Sequence, residues 1–380
     1  MTVEVVELVT VPLELARPLH TARWVATRRD ALLVHVRAEE AEGWAEVAVE
    51  ATPSYAPEFT SESHLVLAEH LVPLAWTGPT GDAAALGPHL AAARGHHPAR
   101  AALELAVLDA QLRAAGVSLA AWLGSTADDV PAGATLGLAA DPDAPDDLLA
   151  EADLAVSAGA ARLRVKIAPG AGAGPLLALR AHLGPAVALQ ADANGSFRLD
   201  DPAHAKELAA LDEVGLACLE QPLAPEDLVG SARLAERLVT PICLDEPLTS
   251  VGALEAAVAL GACTVACLKP GRVGGWIAAR RFADRAAELG VTVWVGGMLE
   301  TNVGRAANAA LAGALLGGPA TTLTPDLDPR PRYAADLVEP LAVASRGRFA
   351  VPAGPGTGAT PPPSVLVGGG VDVTISRRPR

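Results

Sequence analysis

From Gly133 onward the chain repeats one unit: a short β-rich run, a turn, then an Ala/Leu-rich stretch leading back to the next run. The runs are "GATLGL", "RLRVKI", "AVALQAD", "LACLEQP", "PICLDEP", "TVACLKP", "VTVWVGG" and "TTLTP". Between them lie helical stretches at 147–159, 201–213, 225–239, 250–260, 275–289 and 304–316. Eight runs with intervening helices is the count of a parallel (β/α) barrel, an α/β fold. Five successive runs end on a charged residue, Lys166, Asp192, Glu220, Asp245 and Lys269, at intervals of 26, 28, 25 and 24 residues. Active sites of such barrels form at the C-terminal strand ends, so the repeat that specifies the fold also gathers these five side chains over one mouth.

Residues 1–50 read differently, as the strands "VEVVELVTVPL", "ALLVHVRAE" and "GWAEVAVE", followed by helical patterns at 60–75 and 97–116. In the second of these Pro98 suits a first helical turn and Gly116 a helix end. The polar stretch "GSTADDVPAG" at 124–133 marks a boundary. From about 326 the chain is rich in Pro and Gly, with one strand-like piece, "VDVTIS", expected to return to the first domain. The division expected is 1–125, 126–325 and 326–380.

A net charge of −15 argues against nucleic acid or an anionic membrane as partner. The opening "MTVEVVELVT" has neither the basic nor the apolar segment of a secretion signal, and no run of about 20 apolar residues is present to span a bilayer. Cys218, Cys243, Cys263 and Cys267 lie in apolar segments without C-x-x-C spacing, so free thiols in a reducing cytoplasm are expected, and no zinc site.

Lysine is scarce: Lys166, Lys206 and Lys269 are three among 29 basic residues, the rest arginine. Arginine cannot release its proton in a protein, whereas a desolvated lysine can, so lysines at two strand tips are candidates for acid–base chemistry. With "GATLGL" as strand one they fall on strands two and six, opposite one another in a ring of eight. Asp192, Glu220 and Asp245 lie on the arc between. Taken singly, Asp192 in "DAN" reads as a turn former, and Glu220 and Asp245 as surface acids beside prolines. Together, three clustered carboxylates demand a cation, and oxygen ligands suit Mg²⁺. A small-molecule carboxylate bound to that ion would lie between two lysines, an arrangement suited to removing a proton α to the carboxylate.

The side-chain period of two places Arg164, Gln190, Cys218, Cys243 and Cys267 inward, one layer below the five tips. Arg164 is then expected to place positive charge beneath Lys166 and help lower its pKa. The cysteines are packing residues. Alternation turns Glu246 away from Asp245 and ranks it second as a ligand. His96 and His97 precede a helix and are assigned no role. A Schiff-base aldolase also uses a barrel-strand lysine, but the three carboxylates count against it.

The motifs "RVK", "DAN", "LEQPL", "LDEP", "LKPGRVGG" and "WVGGMLETNVGRAAN", in this order and spacing, resemble the enolase superfamily. Within its muconate-lactonising subgroup they are similar to the o-succinylbenzoate synthase and N-succinylamino acid racemase family. The resemblance extends to "GWAEV", "SYAPEF" and "ALELAVLDAQLRA" in the first domain. It implies a modified (β/α)8, or (β/α)7β, barrel capped by an N-terminal α+β domain, whose loops around Pro18–Arg23 and Ala51–Phe59 close over the substrate. It implies Asp192, Glu220 and Asp245 as ligands of Mg²⁺, replaceable by Mn²⁺, and Lys166 and Lys269 as acid–base residues. Asn194, Glu300 and Arg272 are implied as supporting residues, Arg272 matching an arginine associated with racemase activity. A homo-oligomer is expected. The chain departs from the family in having Arg164 where lysine is usual, Pro247 where many members have serine, and "AGAG" after "APG" where relatives carry Trp-Asp. Dehydration of 2-succinyl-6-hydroxy-2,4-cyclohexadiene-1-carboxylate in menaquinone biosynthesis and racemisation of N-succinylamino acids both fit this pattern. Dipeptide epimerisation and muconate lactonisation stay open.

Overall fold

Apolar alternation in the first 50 residues becomes an antiparallel sheet. The strands Val3–His20, Val25–Ala38 and Glu42–Val47 are joined at the outer edge by Asp372–Arg377, which pairs with the first strand from Val5↔Arg377 to Thr10↔Asp372. The tail strand thus becomes the edge of this first sheet. The computed structural model describes residues 1–319, 321–366 and 372–379; Val371 of the expected strand piece lies outside them. No helix among the described residues is long and apolar enough to cross a membrane.

The helix His97–Ala115 lies against this sheet so closely that side-chain-free Gly43 is required. A Cβ there would sit 2.1 Å from the Ala106 carbonyl oxygen. Pro98 occupies the first turn and Gly116 ends the helix at φ 67°, where a left-handed residue closes the backbone. Buried Asp109 accepts from the amides of Trp44 (2.8 Å) and Thr357 (2.6 Å) and from Arg113 Nε (2.8 Å), tying helix, sheet and tail together.

The second half is a curled parallel sheet of seven strands in sequential order: Gly133–Leu136, Arg162–Lys166, Ala188–Asp192, Leu219–Glu220, Ile242–Leu244, Val265–Leu268 and Thr292–Val295. The eighth run, "TTLTP", closes the ring as an extended segment. Its backbone bonds to both sides of Val293 (Thr321 O at 2.9 Å, Leu323 N at 3.2 Å), and Asp326 N reaches Val295 O at 2.9 Å. On its other side the seam to strands one and two is made by side chains, Thr135 Oγ1 to Asp326 at 2.8 Å and Arg162 to Thr324 O at 3.1 Å.

All six expected barrel helices are present within a few residues of their predicted bounds, for example Trp276–Glu288 and Asn302–Leu316. One helix, Ala173–Leu183, is not among those expectations. Gly172, Gly174 and Pro175 disguise it as a loop, yet Pro175 falls in its first turn, where the missing N–H is not needed. Beneath the mouth, Cys218, Cys243, Val265, Cys267 and Trp294 form a buried plug. The Arg162 and Arg164 guanidiniums lie 5.0 and 5.3 Å from the Trp294 ring centroid, which offsets part of the cost of burying them.

Candidate active site

The five charged tips do not share one level. Lys166, Asp192 and Glu220 pair laterally in sequence, and Glu220 pairs next with Cys243 rather than Asp245. Cys243 in turn pairs with Val265, so Asp245 stands level with Cys267 and Lys269 two residues higher. This corrects the expected single layer of tips over a single layer of inward residues. A closed barrel must shear its strands, so side chains of equal parity climb around the ring.

On one side of the mouth, Lys166 donates to Asp192 Oδ2 at 2.7 Å and Asn194 Oδ1 at 2.8 Å. Asn194 holds φ 44°, with its own amide bonded back to Asp192 Oδ1 at 3.0 Å. Arg164 sits inward as predicted, but it is saturated by acids: Asp192 at 3.0 Å, Glu220 at 3.1 Å and Asp326 at 2.5 Å. Its role is counter-charge to the carboxylates rather than a free cation beneath Lys166. Gln190 completes the floor, donating to Glu220 at 2.7 Å.

On the other side, Lys269 Nζ donates to Asp245 Oδ2 and to the Tyr55 hydroxyl, each at 2.8 Å. Tyr55 donates to Asp245 at 2.5 Å, and Arg272 contacts both Asp245 and Tyr55. Burial alone would lower the Lys269 pKa, but Asp245 beside it holds it well above its ordinary value. Asp245 itself, raised by burial, is driven far below the carboxylate range by Arg272 and Lys269. Lys269 packs flat against strand seven because residue 296 is glycine: a Cβ there would lie 2.8 Å from Lys269 Cε and 2.3 Å from Cys267 Sγ.

The acids form a continuous buried arc. Glu220, Asp245 and Cys267 each present one atom within 4.8 Å of the others, and Asp192 joins Glu220 through their shared Arg164 Nη1. Burial, with Asp192 and Asp245 nearby, pushes Glu220 up to about 8 despite Arg164. A carboxyl so burdened by like charge is relieved by a cation, and hard oxygens such as those of Glu220 and Asp245 suit a divalent ion such as Mg²⁺, while Asp192 stands outside their 4.8 Å group. Cys267 does not extend that set: burial first, then Asp245, keeps its thiol well above its ordinary pKa, hence protonated and a poor ligand.

Glu300 is buried and held by the Met298 amide at 2.7 Å and Asn308 Nδ2 at 3.0 Å, at the loop after strand seven. Glu246 does not point away as alternation predicts. Its strand ends at Leu244, and beyond that point Glu246 receives Asn194 Nδ2 at 3.3 Å and lines the mouth beside Lys269. Burial, then Asp245 and Asp192, raises it to about 7. His97 is half-buried, its Nδ1 2.7 Å from the Arg272 carbonyl, so it supports that turn.

Both expected cap loops reach the barrel. Leu19, Thr21 and Trp24 from the first and Tyr55 from the second line the void above the lysines, while Arg23 clasps the carbonyls of Asn194 (3.1 Å) and Gly195 (3.2 Å). The void they close is about 40 Å³, with a wider opening of about 550 Å³ beyond Tyr55. Tyr55 and Asp326 are the residues that sequence reasoning missed. Tyr55 lies within the quoted "SYAPEF"; Asp326 stands one residue past the eighth run, where extending the series of charged tips would have found it.

Residues 147–365 match the family model described as enolase C-terminal domain-like. An N-succinylamino acid racemase from an Amycolatopsis species is 42% identical over 95% of both chains. An o-succinylbenzoate synthase from Geobacillus kaustophilus is 38% identical over 94% of this chain and 93% of its own. Among solved structures, an enolase-superfamily member from Listeria innocua superposes with a TM-score of 0.89 at 31% identity, over 98% of this chain and 99% of the other.

Proposed function

The chain belongs to the enolase superfamily, and on that premise we propose that it is a Mg²⁺-dependent o-succinylbenzoate synthase that also racemises N-succinylamino acids in the same site. Relatives of both kinds, each spanning nearly the whole chain, support an enzyme of this synthase–racemase type. The observation that carries the reading is the pair of buried lysines lining one void, one at the end of strand two and one just past strand six, each bonded to an acid of the arc between them.

Asp192, Glu220 and Asp245 would hold the divalent ion, which would supply positive charge to a substrate carboxylate. Asp192, which now accepts from Lys166 at 2.7 Å, would then be shared between that ammonium and the ion. In the dehydration Lys166 takes the α-proton, then returns it to the departing hydroxyl on the same face, and water leaves. Lys269 stays cationic, kept so by Asp245, and offsets the growing negative charge. In racemisation the two lysines exchange protons with opposite faces of Cα. That second activity is favoured by the opposed strands and by Arg272, which sets Asp245 and Tyr55 around Lys269. Residues 1–125 act as the lid over the 126–325 barrel, with 326–380 returning to it; Trp24 and Tyr55 must swing outward to admit a substrate.

Assay of both substrates on purified protein, with and without EDTA, tests this. Metal-dependent turnover of both supports the reading, racemisation alone reduces it to a racemase, and turnover of neither, or turnover without metal, overturns it.

A further inference from the structure

Among the four cations that line the void, three are spoken for. Arg164 is bound to three carboxylates, Lys166 to Asp192 and Asn194, and Lys269 to Asp245 and Tyr55. The fourth is Arg332. Its Nε is buried without a hydrogen-bond partner, and no ion pair to its guanidinium exists among the described residues. A half-buried guanidinium with idle donors is costly to maintain unless an anion arrives to use them.

The position is built rather than accidental. The Arg332 carbonyl accepts from Ala16 N of the first cap strand at 2.8 Å, and Ala334 N bonds to Glu14 O at 3.0 Å, fixing the backbone on both sides. Tyr333, fully packed, anchors its hydroxyl on the Leu299 carbonyl. The nearest acids are occupied: Asp326 by Thr135 and Arg164, Asp328 by Arg330 at 2.7 Å. Arg305 close by, lowered first by burial, is lowered further by repulsion from Arg332. Arg332 helps to lower the pKa of Asp326 and of Asp328, yet neither acid takes a hydrogen bond from it, so its donors face the void uncommitted.

We infer that Arg332 docks the distal carboxylate of the substrate and so sets specificity for substrates with two anionic ends. The inference rests on the function proposed above. Both proposed substrates carry a succinyl group, whose terminal carboxylate stands away from the reacting one. The planar guanidinium fork matches a carboxylate in bidentate fashion. One arginine reading that shared group explains how a single site accepts two substrates whose reacting halves differ. Arg332 touches substrate but takes no part in proton transfer.

The test compares an N-succinylamino acid with its succinyl monomethyl ester, nearly the same shape without the distal charge, on wild type, Arg332→Met and Arg332→Lys. In wild type the ester should raise KM by about 10- to 100-fold with little change in kcat. In Arg332→Met acid and ester should have the same raised KM, and Arg332→Lys should restore part of the gap. An acid–ester gap that persists in Arg332→Met, or no gap in wild type, overturns the inference while leaving the proposed function standing. A wild type inactive on the succinyl substrates fails the function itself and this inference with it. The wild-type comparison stands even should the methionine variant not fold.

Discussion

The two lysines of the mouth are held in different ways. Lys166 lies within the barrel: its partners Asp192 and Asn194 and the Arg164 below them all come from strands two and three or the loop just past them. Lys269 is a joint property of both domains. Its Asp245 comes from the barrel, but its second partner, Tyr55, sits on a cap loop. The side-chain partners of the first lysine therefore all come from the barrel, the cap reaching it only through Arg23 on the Asn194 and Gly195 carbonyls, whereas the second lysine takes a side-chain partner from the cap itself. Chemistry that asks only one lysine to move a proton depends on the first half. Chemistry that asks both to do so depends on the cap as well.

The largest effect should come from the barrel half. Lys166→Ala is expected to lower kcat by about 10²- to 10⁴-fold in both dehydration and racemisation, the usual scale of a lost general base. Steady-state assays of each reaction check it, and survival of either would detach that reaction from the proposed mechanism. Lys269→Arg sharpens the comparison, because arginine keeps the charge and cannot give up its proton. Racemisation should fall by a similar factor while dehydration keeps a measurable fraction. Equal loss of the two would erase the distinction between the halves.

Tyr55→Phe tests the cap's share directly. It removes the hydroxyl between Lys269, Asp245 and Arg272, a loss of about tenfold in kcat/KM at the low end for a charged hydrogen bond. The loss should be greater for racemisation than for dehydration.

Tyr55 also marks the limit of what the amino-acid order reveals. Lys166, Asp192, Glu220, Asp245 and Lys269 were legible because strand tips recur with the barrel period and because lysine is so rare in this chain. Parity correctly put Arg164 and the cysteines inward. Parity says nothing of register, however, and the shear that sets Asp245 level with Cys267 appears only when strands pair. Alternation likewise fails for Glu246 because it lies beyond the last paired residue. Tyr55 meets Asp245 across 190 residues of chain, and no local pattern in a polar loop announces such a contact. Arg332 is hidden for a similar reason, sitting in a Pro-rich tail whose path over the mouth is set by backbone pairing with the first cap strand.

The smallest catalytic effect is expected where the two domains meet behind Lys269. Glu104, on the cap helix, accepts from the amides of Trp276 (2.7 Å) and Ile277 (3.3 Å) at the start of the barrel helix that follows Lys269. Burial raises its carboxyl to about 7, against the pull of those two amides. A carboxyl whose pKa is higher folded than unfolded takes up a proton preferentially in the folded state. Its contribution is complete below the unfolded value of 4.5 and is lost as pH rises through about 7. Glu104→Gln keeps an acceptor facing both amides and removes the titration, so the melting temperature of wild type relative to the variant should fall by a few degrees between pH 5 and pH 8.5. At pH 7 kcat for dehydration should hardly change, since Glu104 bonds only the Trp276 and Ile277 amides and dehydration moves no proton through Lys269. A parallel pH dependence in both proteins would show that Glu104 takes up no extra proton on folding, so that its carboxylate stays ionised at the joint behind Lys269.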